Sequence, residues 1–253
     1  SADHTARLWN AHSGVLLYSF GGHTGSVNTC TFSADGQYIL TASTDSTAKL
    51  WDTHSSKLLH SFDDHADAVW SAAFSADGQH ILTASNDKTA KLWDARSGEL
   101  LRSFDDHTDS VLSCAFSADS QHIFTASADN TARRWDAHSG VLRNSLDGHT
   151  GSVKNDSVST DGQHILNTSH NTTNLRNAYS GTLLRSFDSH THSVNSCAIS
   201  PDGDYILTAG NDKTAKLWNA DSGSLQHTFD GHTRSIREAL NKSTSDQRRA
   251  NPP

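Results

Sequence analysis

The sequence contains no methionine, and only three cysteines and three prolines occur among its 253 residues. Cys30, Cys114 and Cys197 lie too far apart along the chain to form the short ligand spacings of a zinc site, and three cysteines cannot make a complete disulfide set. We therefore expect buried thiols in an intracellular, cytoplasmic protein, with a nuclear location left open. The absent methionine and the start at Ser1 favour an internal fragment or a processed product.

Long hydrophobic runs and an excess of positive charge are also absent. No apolar run approaches the roughly 20 residues that a membrane-spanning helix needs. The formal net charge is -8, whereas a nucleic-acid surface usually requires clustered lysine and arginine. We therefore expect neither a membrane span nor a nucleic-acid partner. The chain also lacks the GxxxxGK[ST], HExxH and GxSxG motifs, so no nucleotide, zinc-protease or serine-hydrolase site is predicted.

The most informative feature that is present is a repeat of about 42 residues. A histidine returns at intervals of 42, 42, 42, 41 and 42 residues, at His23, His65, His107, His149, His190 and His232. A tryptophan keeps step with it at Trp9, Trp51, Trp93, Trp135 and Trp218. A fixed period of this length indicates tandem copies of one structural unit.

Each unit has the pattern of four short strands separated by turns. In the unit that begins at His23, strands are predicted at 27–33, 38–43, 47–52 and 58–62, and Ala34-Asp35-Gly36 is typical of a turn. No window keeps a helical period for more than about two turns. Because a single small sheet cannot bury both of its faces, the copies are expected to stack around an axis.

The Gly-His pairs, the Asp-Gly turns and the segment Thr47-Ala48-Lys49-Leu50-Trp51-Asp52 resemble the WD-repeat β-propellers. The resemblance covers residues 1–240 and implies an all-β propeller of four-stranded antiparallel blades, with about six WD repeats and an incomplete closing blade. The units start near residues 23, 65, 107, 149, 190 and 232. Residues 241–253 contain no β-pattern and are expected to form a disordered tail.

The two ends of the array carry incomplete units. Residues 1–20 hold only the last two strands of a unit, and residues 232–240 supply only a first strand. Propellers of this family typically compose one blade from both ends, which implies a six-bladed ring with a three-stranded closing blade. A piece of a longer array fits the same pattern, and the sequence leaves both arrangements open.

Most units carry a histidine, a serine, an aspartate and a tryptophan at constant offsets. An active site is needed once, so this recurrence indicates scaffolding rather than a Ser-His-Asp triad, and we predict no catalytic, cofactor or metal site. Equivalent histidines on neighbouring blades are expected to lie too far apart to share a metal ion. The resemblance implies that each set is joined by hydrogen bonds. The predicted sets are His23/Ser43/Asp45/Trp51, His65/Ser85/Asp87/Trp93, His107/Ser127/Asp129/Trp135, His190/Asp212/Trp218 and His232/Ser1/Asp3/Trp9.

Two units depart from this pattern. In the fourth, His170 replaces an Ala-Asp pair, Arg176 stands in place of tryptophan, and Asp156 occupies a position that is apolar in other units. An unpaired carboxylate at such a position is costly. We predict that residues 149–189 form the least stable blade. In the fifth unit Gly210 replaces the serine, and Thr208 lies two residues earlier on the same face.

The beginning of the first strand of each unit is the predicted partner-binding surface, because WD propellers most often use this rim. The rim positions differ from unit to unit: Asn28, Trp70, Leu112, Lys154, Asn195 and Arg237. Trp70 is the predicted anchor, since a large rigid aromatic side chain at a concave centre is a common hot spot. Lys154 and Arg237 favour an acidic or phosphorylated segment.

These features predict a non-enzymatic scaffold or adaptor for other proteins or peptides, without a cofactor. A second reading is the regulatory or sensing propeller of a larger signalling NTPase or kinase, and a third is a degenerate, poorly folded repeat product. Because one fold serves many functions, the partner, the pathway and the oligomeric state are left open.

Overall fold

The computed structural model of the chain describes residues 1–146, 149 and 151–236, except for the side chains of Asn155 and Asp156. Its contacts divide the chain into two compact units, Ser1–Val153 and Lys154–Pro253. The described residues form strands and turns without a helix, so the all-β prediction is confirmed. Within this part of the chain, no helix is long and apolar enough to span a membrane.

The first unit contains a two-stranded sheet and three four-stranded antiparallel sheets. Within each sheet, strands that are consecutive in sequence are neighbours. The two-stranded sheet is formed by β1 (Thr5–Trp9) and β2 (Leu16–Gly21). The others are formed by β3 (Val27–Phe32), β4 (Tyr38–Ser43), β5 (Ala48–Asp52) and β6 (Leu58–Phe62); by β7 (Val69–Phe74), β8 (His80–Ser85), β9 (Ala90–Asp94) and β10 (Leu100–Phe104); and by β11 (Val111–Phe116), β12 (His122–Ser127), β13 (Ala132–Asp136) and β14 (Leu142–Leu146).

The second unit contains two more four-stranded antiparallel sheets in the same order. Their strands are β15 (Val153–Val158), β16 (His164–Ser169), β17 (Thr172–Asn177) and β18 (Leu183–Phe187), then β19 (Val194–Ile199), β20 (Tyr205–Gly210), β21 (Ala215–Asn219) and β22 (Leu225–Phe229). The predicted four-stranded units are therefore confirmed.

Local sequence explains how the strands are joined. Between β3 and β4, the hydroxyl of Ser33 donates to Asp35 at 2.6 Å and accepts from the amide of Tyr38 at 2.9 Å. Gly36 has a φ of 70°, a left-handed conformation that glycine adopts without a Cβ clash. This short turn fixes the register in which Thr41 of β4 lies opposite Lys49 of β5.

The core is formed where one sheet packs against the next within a unit. Leu40 and Ala42 of β4 and Phe62 of β6 pack with Val69 and Ala72 of β7. Phe62 also lies against Trp93 of the next sheet, with ring centroids 5.2 Å apart. Each side chain of this size contributes about 1.5–3 kcal/mol when it is fully buried. One sheet therefore supplies the apolar cover that its neighbour needs.

The cysteine prediction needs one correction. Cys114 and Cys197 are buried as expected, but Cys30 is exposed. Cys30 lies on β3, next to the two-stranded sheet, which lacks the two strands that precede its equivalent strand in the four-stranded sheets. No side chains equivalent to Leu40 and Ala42 cover it.

The prediction of an incomplete blade is confirmed by the two-stranded β1–β2 sheet. Closure of six blades into a ring stays a prediction, as does the single 1–240 propeller domain. Parts of two predictions, the first strand through 240 and the tail at 241–253, lie outside the described residues.

Candidate functional site: buried hydrogen-bond sets and an exposed rim

The β3–β6 sheet contains the first buried hydrogen-bond set. His23 precedes β3, and its Nδ1 lies 2.8 Å from Oδ2 of Asp45 in the turn between β4 and β5. Its Nε2 lies 2.8 Å from Oγ1 of Thr41 on β4. The indole N–H of Trp51 on β5 donates to the same oxygen at 2.9 Å. Four elements that are separate in sequence are thereby tied together.

The donors and acceptors of this set define one consistent protonation pattern. The carboxylate of Asp45 accepts from Nδ1–H of His23, so Nε2 accepts the hydroxyl hydrogen of Thr41. Thr41 in turn accepts from the indole of Trp51. Burial lowers the pKa of His23 and outweighs the opposing effect of Asp45, which favours a neutral imidazole.

Asp45 is held as the charged member of the set. Burial alone would raise its pKa, but hydrogen bonds from the Thr47 hydroxyl, the Thr24 amide and His23 outweigh that effect and lower the pKa to about 2. The carboxylate therefore stays ionised and fixes both the loop before β3 and the turn before β5.

The same geometry recurs in three further sheets. In each, a histidine contacts an aspartate and a threonine at 2.7–2.8 Å, and a tryptophan donates to that threonine at 2.9 Å. These sets are His65/Thr83/Asp87/Trp93, His107/Thr125/Asp129/Trp135 and His190/Thr208/Asp212/Trp218.

The predicted serine is not the hydroxyl that joins the histidine to the tryptophan. Ser43 lies at the end of β4, where its oxygen accepts from the amide of Asp45 at 3.2 Å. Ser85 and Ser127 instead combine the equivalent turn contact with a bond to a loop carbonyl. The bridging residue is the threonine two positions earlier, because strand alternation places it on the same face and nearer to the indole.

The fifth unit carried the one sequence signal for this threonine. Gly210 stands where the other units have serine, yet His190 still lies 2.8 Å from Asp212 and 2.7 Å from Thr208. The set therefore forms without the serine. In these four sets the threonine hydroxyl is buried, which prevents it from reaching a substrate as the nucleophile of a triad would.

The set predicted from Ser1, Asp3 and Trp9 has a different form. Asp3 accepts from the Ser1 hydroxyl at 2.6 Å and forms an ion pair with Arg7 at 2.7 Å. The Ser1 hydrogen bond is the main reason that its pKa is lowered. Trp9 is 52% exposed. His232 is exposed in the second unit, and its predicted role in this set stays a prediction.

The fourth unit replaces the set with other polar residues. His170 has a φ of 48° and lies in a two-residue turn between β16 and β17. Asn167 occupies the threonine position and is fully buried. Arg176, at the tryptophan position, donates to the carbonyl of Gly181 at 3.1 Å. The side chain of Asp156 lies outside the described part of the chain.

Trp70 is the exposed aromatic residue of the predicted rim. It is the second residue of β7 and is 38% exposed. Its indole N–H donates to the side-chain oxygen of Asn86 at 2.7 Å, which holds the ring against the loop after β8. The preceding residue, Val69, is fully buried, so the strand that carries the tryptophan is anchored in the core.

The other rim positions differ in their contacts. Asn28 donates to the carbonyl of Val69 at 2.8 Å and so links β3 to β7, and Leu112 is half-buried on β11. In the second unit, Asn195 donates to Asn211 at 2.7 Å and to the carbonyl of Ile236 at 2.9 Å, and Lys154 is half-buried. Arg237 lies outside the described residues.

The described residues contain no group of three or more His, Cys, Asp or Glu side chains with the geometry of a metal site. The recurring polar side chains instead satisfy one another inside the sheets. The arrangement thus supports loops and leaves the rim of the first unit available for contact.

Comparison with known proteins agrees with this architecture. The family described as "WD domain, G-beta repeat" matches residues 14–52, 56–94, 98–136 and 181–219, more than half of the chain. The gap between the last two matches contains most of the fourth unit. A 43-residue segment is 51% identical to WD repeat-containing protein 37 of Homo sapiens, Mus musculus and Xenopus tropicalis. The alignment covers 17% of this chain and 9% of each of these relatives. The chain belongs to the WD-repeat family.

Proposed function

We propose that this protein is a non-enzymatic scaffold or adaptor that binds peptide or domain partners through the rim around Trp70. WD-repeat proteins generally act as protein-interaction scaffolds. The observation that carries the proposal for this chain is an exposed indole held in place by Asn86 on a strand whose adjoining residue is buried.

The rim is supported by buried contacts on both sides of Trp70. In the loop before β7, the imidazole of His65 and the amide of Ala66 both bond the carboxylate of Asp87. In the turn after β8, the amide of Asp87 donates to Ser85. Because these segments are already ordered, little conformational entropy is lost when a partner binds.

An exposed tryptophan supplies binding free energy through its area and its limited rotamer freedom. Burying such a side chain in an interface commonly contributes 2 kcal/mol or more, roughly a thirtyfold change in affinity. The Asn86 contact restricts the ring further. We therefore expect Trp70 to contribute more to partner affinity than the half-buried Leu112.

The test compares proteins captured from native extract by the wild-type chain, a Trp70→Ala variant and a Leu58→Ala variant. Leu58 is a matched control, because it lies in the same unit and is 40% exposed but belongs to the outer strand β6. We expect the Trp70 variant to lose the captured set, the Leu58 variant to retain it, and both to unfold at the wild-type denaturant midpoint. An identical set from all three proteins would contradict the proposal.

The second candidate is a regulatory or sensing unit of a larger signalling protein with an NTPase or kinase domain. It is favoured by the near-identity of the Thr-Ala-Lys-Leu-Trp segments in three units. An antibody raised against the repeats tests this candidate in native extract. A band much heavier than 27.3 kDa supports it, and a band at that mass contradicts it.

A further inference from the structure

The strand β1 has one edge without a neighbouring strand. In the five four-stranded sheets the equivalent strand, such as β5, is paired on both sides, whereas β1 pairs only with β2 among the described residues. Main-chain N–H and C=O groups at such an edge can accept another strand. This edge is separate from the rim that carries Trp70.

An apolar groove lies beside this open edge. It has a volume of about 70 Å³ and is lined by Ala6, Leu8, Phe20, Cys30, Phe32 and Ile39, together with parts of Arg7 and Thr31. Phe32 is 53% exposed, whereas the equivalent Phe74 is half-buried next to β4. The groove is thus the same packing face that β7 uses, without its cover.

The complete sheets define which strand would fit the groove. In the β4–β5 pair, Leu40 lies opposite Leu50 and Ala42 opposite Ala48. The residues of β1 that match Leu50 and Ala48 are Leu8 and Ala6. A strand added antiparallel to β1 would therefore place two apolar side chains opposite these residues and over Cys30 and Phe32.

The indole of Trp9 adds a polar requirement. In four sheets the equivalent tryptophan donates to a threonine on the second strand, as Trp51 does to Thr41. Within the described part of the chain, no such threonine lies beside Trp9. Because Thr41 is paired with Lys49, the matching hydroxyl of an added strand would lie opposite Arg7.

We propose that the open edge of β1 and the groove over Cys30 and Phe32 bind one extended segment of a partner protein. The segment pairs antiparallel to β1 and carries two apolar side chains on either side of a threonine or serine. Main-chain hydrogen bonds supply affinity, and the groove supplies specificity.

The partner is a different polypeptide because this chain uses its own matching segments. All five segments of this pattern, β4, β8, β12, β16 and β20, are paired within their own sheets. Residues 237–253 contain no alternating apolar and hydroxyl run in their sequence. A second copy of the chain therefore has no spare segment of this kind.

The test uses the full chain and a fluorescein-labelled synthetic peptide with the sequence of residues 77–86, Asp-Gly-Gln-His-Ile-Leu-Thr-Ala-Ser-Asn. We expect saturable binding by fluorescence anisotropy and at least about tenfold slower alkylation of Cys30, since covered groups react only when the cover opens. The buried Cys114 and Cys197 serve as internal controls. A peptide with lysine in place of its leucine and alanine should not bind.

Two protein variants define the site. Phe32→Lys should abolish binding, whereas Leu183→Lys, at a position that is 50% exposed on β18, should leave it unchanged. Trp70→Ala should also leave it unchanged, which separates this site from the rim. Binding that persists in the Phe32 variant, or that leaves the alkylation rate of Cys30 unaltered, would overturn the proposal.

Discussion

Thr41 illustrates how one hydroxyl stabilises four separate elements. Its oxygen is the common partner of the His23 imidazole and the Trp51 indole, and all three side chains are buried. A buried donor or acceptor that loses its partner costs more than an average hydrogen bond contributes. The threonine therefore has a larger expected effect on stability than the nearby serine.

We predict that Thr41→Val lowers the free energy of unfolding by about 2–3 kcal/mol and Ser43→Ala by about 1 kcal/mol or less. Valine keeps the shape but leaves the histidine and tryptophan without the shared oxygen, whereas alanine removes only a turn contact. Urea unfolding followed by tryptophan fluorescence measures both. Equal losses in the two variants would contradict the assignment of the bridging residue.

Lys88 tests the cost of backbone strain in the turn after Asp87. Its φ is 73°, a conformation that lysine adopts with difficulty and asparagine tolerates. The equivalent position in the next sheet is Asn130, with a φ of 70°.

We predict that Lys88→Asn raises the free energy of unfolding by about 0.5 kcal/mol and that the mirror-image change, Asn130→Lys, lowers it by a similar amount. Both residues are exposed, so packing changes are small. Denaturant midpoints measure the two variants together. Shifts of the same sign would contradict the strain argument.

At the scale of the strand, the β15–β18 sheet differs from its neighbours in the polarity of its buried residues. Thr168 and Thr173 face each other across β16 and β17 and occupy positions held by Ala42 and Ala48 in the first complete sheet. Their hydroxyls are buried and, among the described residues, have no hydrogen-bond partner. Such groups cost about 1–3 kcal/mol each.

We predict that the double variant Thr168→Ala/Thr173→Ala is more stable than the wild type by about 1 kcal/mol, after the loss of two methyl contacts is included. The matched reverse change is Ala42→Thr/Ala48→Thr, which should destabilise the chain. Chemical denaturation of all three proteins measures both effects. A less stable alanine variant would contradict this account.

The fourth-unit prediction is tested by hydrogen exchange. Amides of β16 and β17 should exchange faster than those of β8 and β9, because the former sheet lacks the complete hydrogen-bond set. Peptide-resolved exchange at neutral pH gives the comparison. Equal protection in the two sheets would refute the prediction that residues 149–189 are least stable.

Sequence reasoning identified the strands because each combines a short β-rich run with a turn signal such as Ala34-Asp35-Gly36. It placed His23, Asp45 and Trp51 in one set from their recurrence. It chose Ser43 over Thr41 because both recur on the same face, and only the geometry of the indole separates them. It missed the exposure of Cys30 because the number of strands in the neighbouring sheet decides burial.

At the scale of the whole molecule, stability depends on pH through the repeated sets. Burial lowers the pKa of His23, His107 and His190 below the ordinary 6.5. The unfolded chain therefore takes up protons first as the pH falls below 6.5, and the folded state loses stability. Asp45, Asp129 and Asp212 have folded pKa values of about 2 against an ordinary 3.8, so their contribution is lost at still lower pH, through that interval.

We predict that the free energy of unfolding falls when the pH is lowered from about 7 to about 5, and falls again below about 4. Urea unfolding at several pH values measures both steps. A His107→Gln variant should be less stable at neutral pH and should show a shallower first step. Stability that rises between pH 7 and 5 would contradict the assignment of neutral buried histidines.

The account as a whole makes Trp70 a point of contact with another protein. The most direct measurement replaces Trp70 with a photo-crosslinking amino acid and compares it in native extract with the same replacement at Leu58. We predict a discrete crosslinked protein from position 70 that position 58 does not give, and that excess unlabelled wild-type chain competes away. Crosslinks at position 58 but none at position 70 would contradict the account.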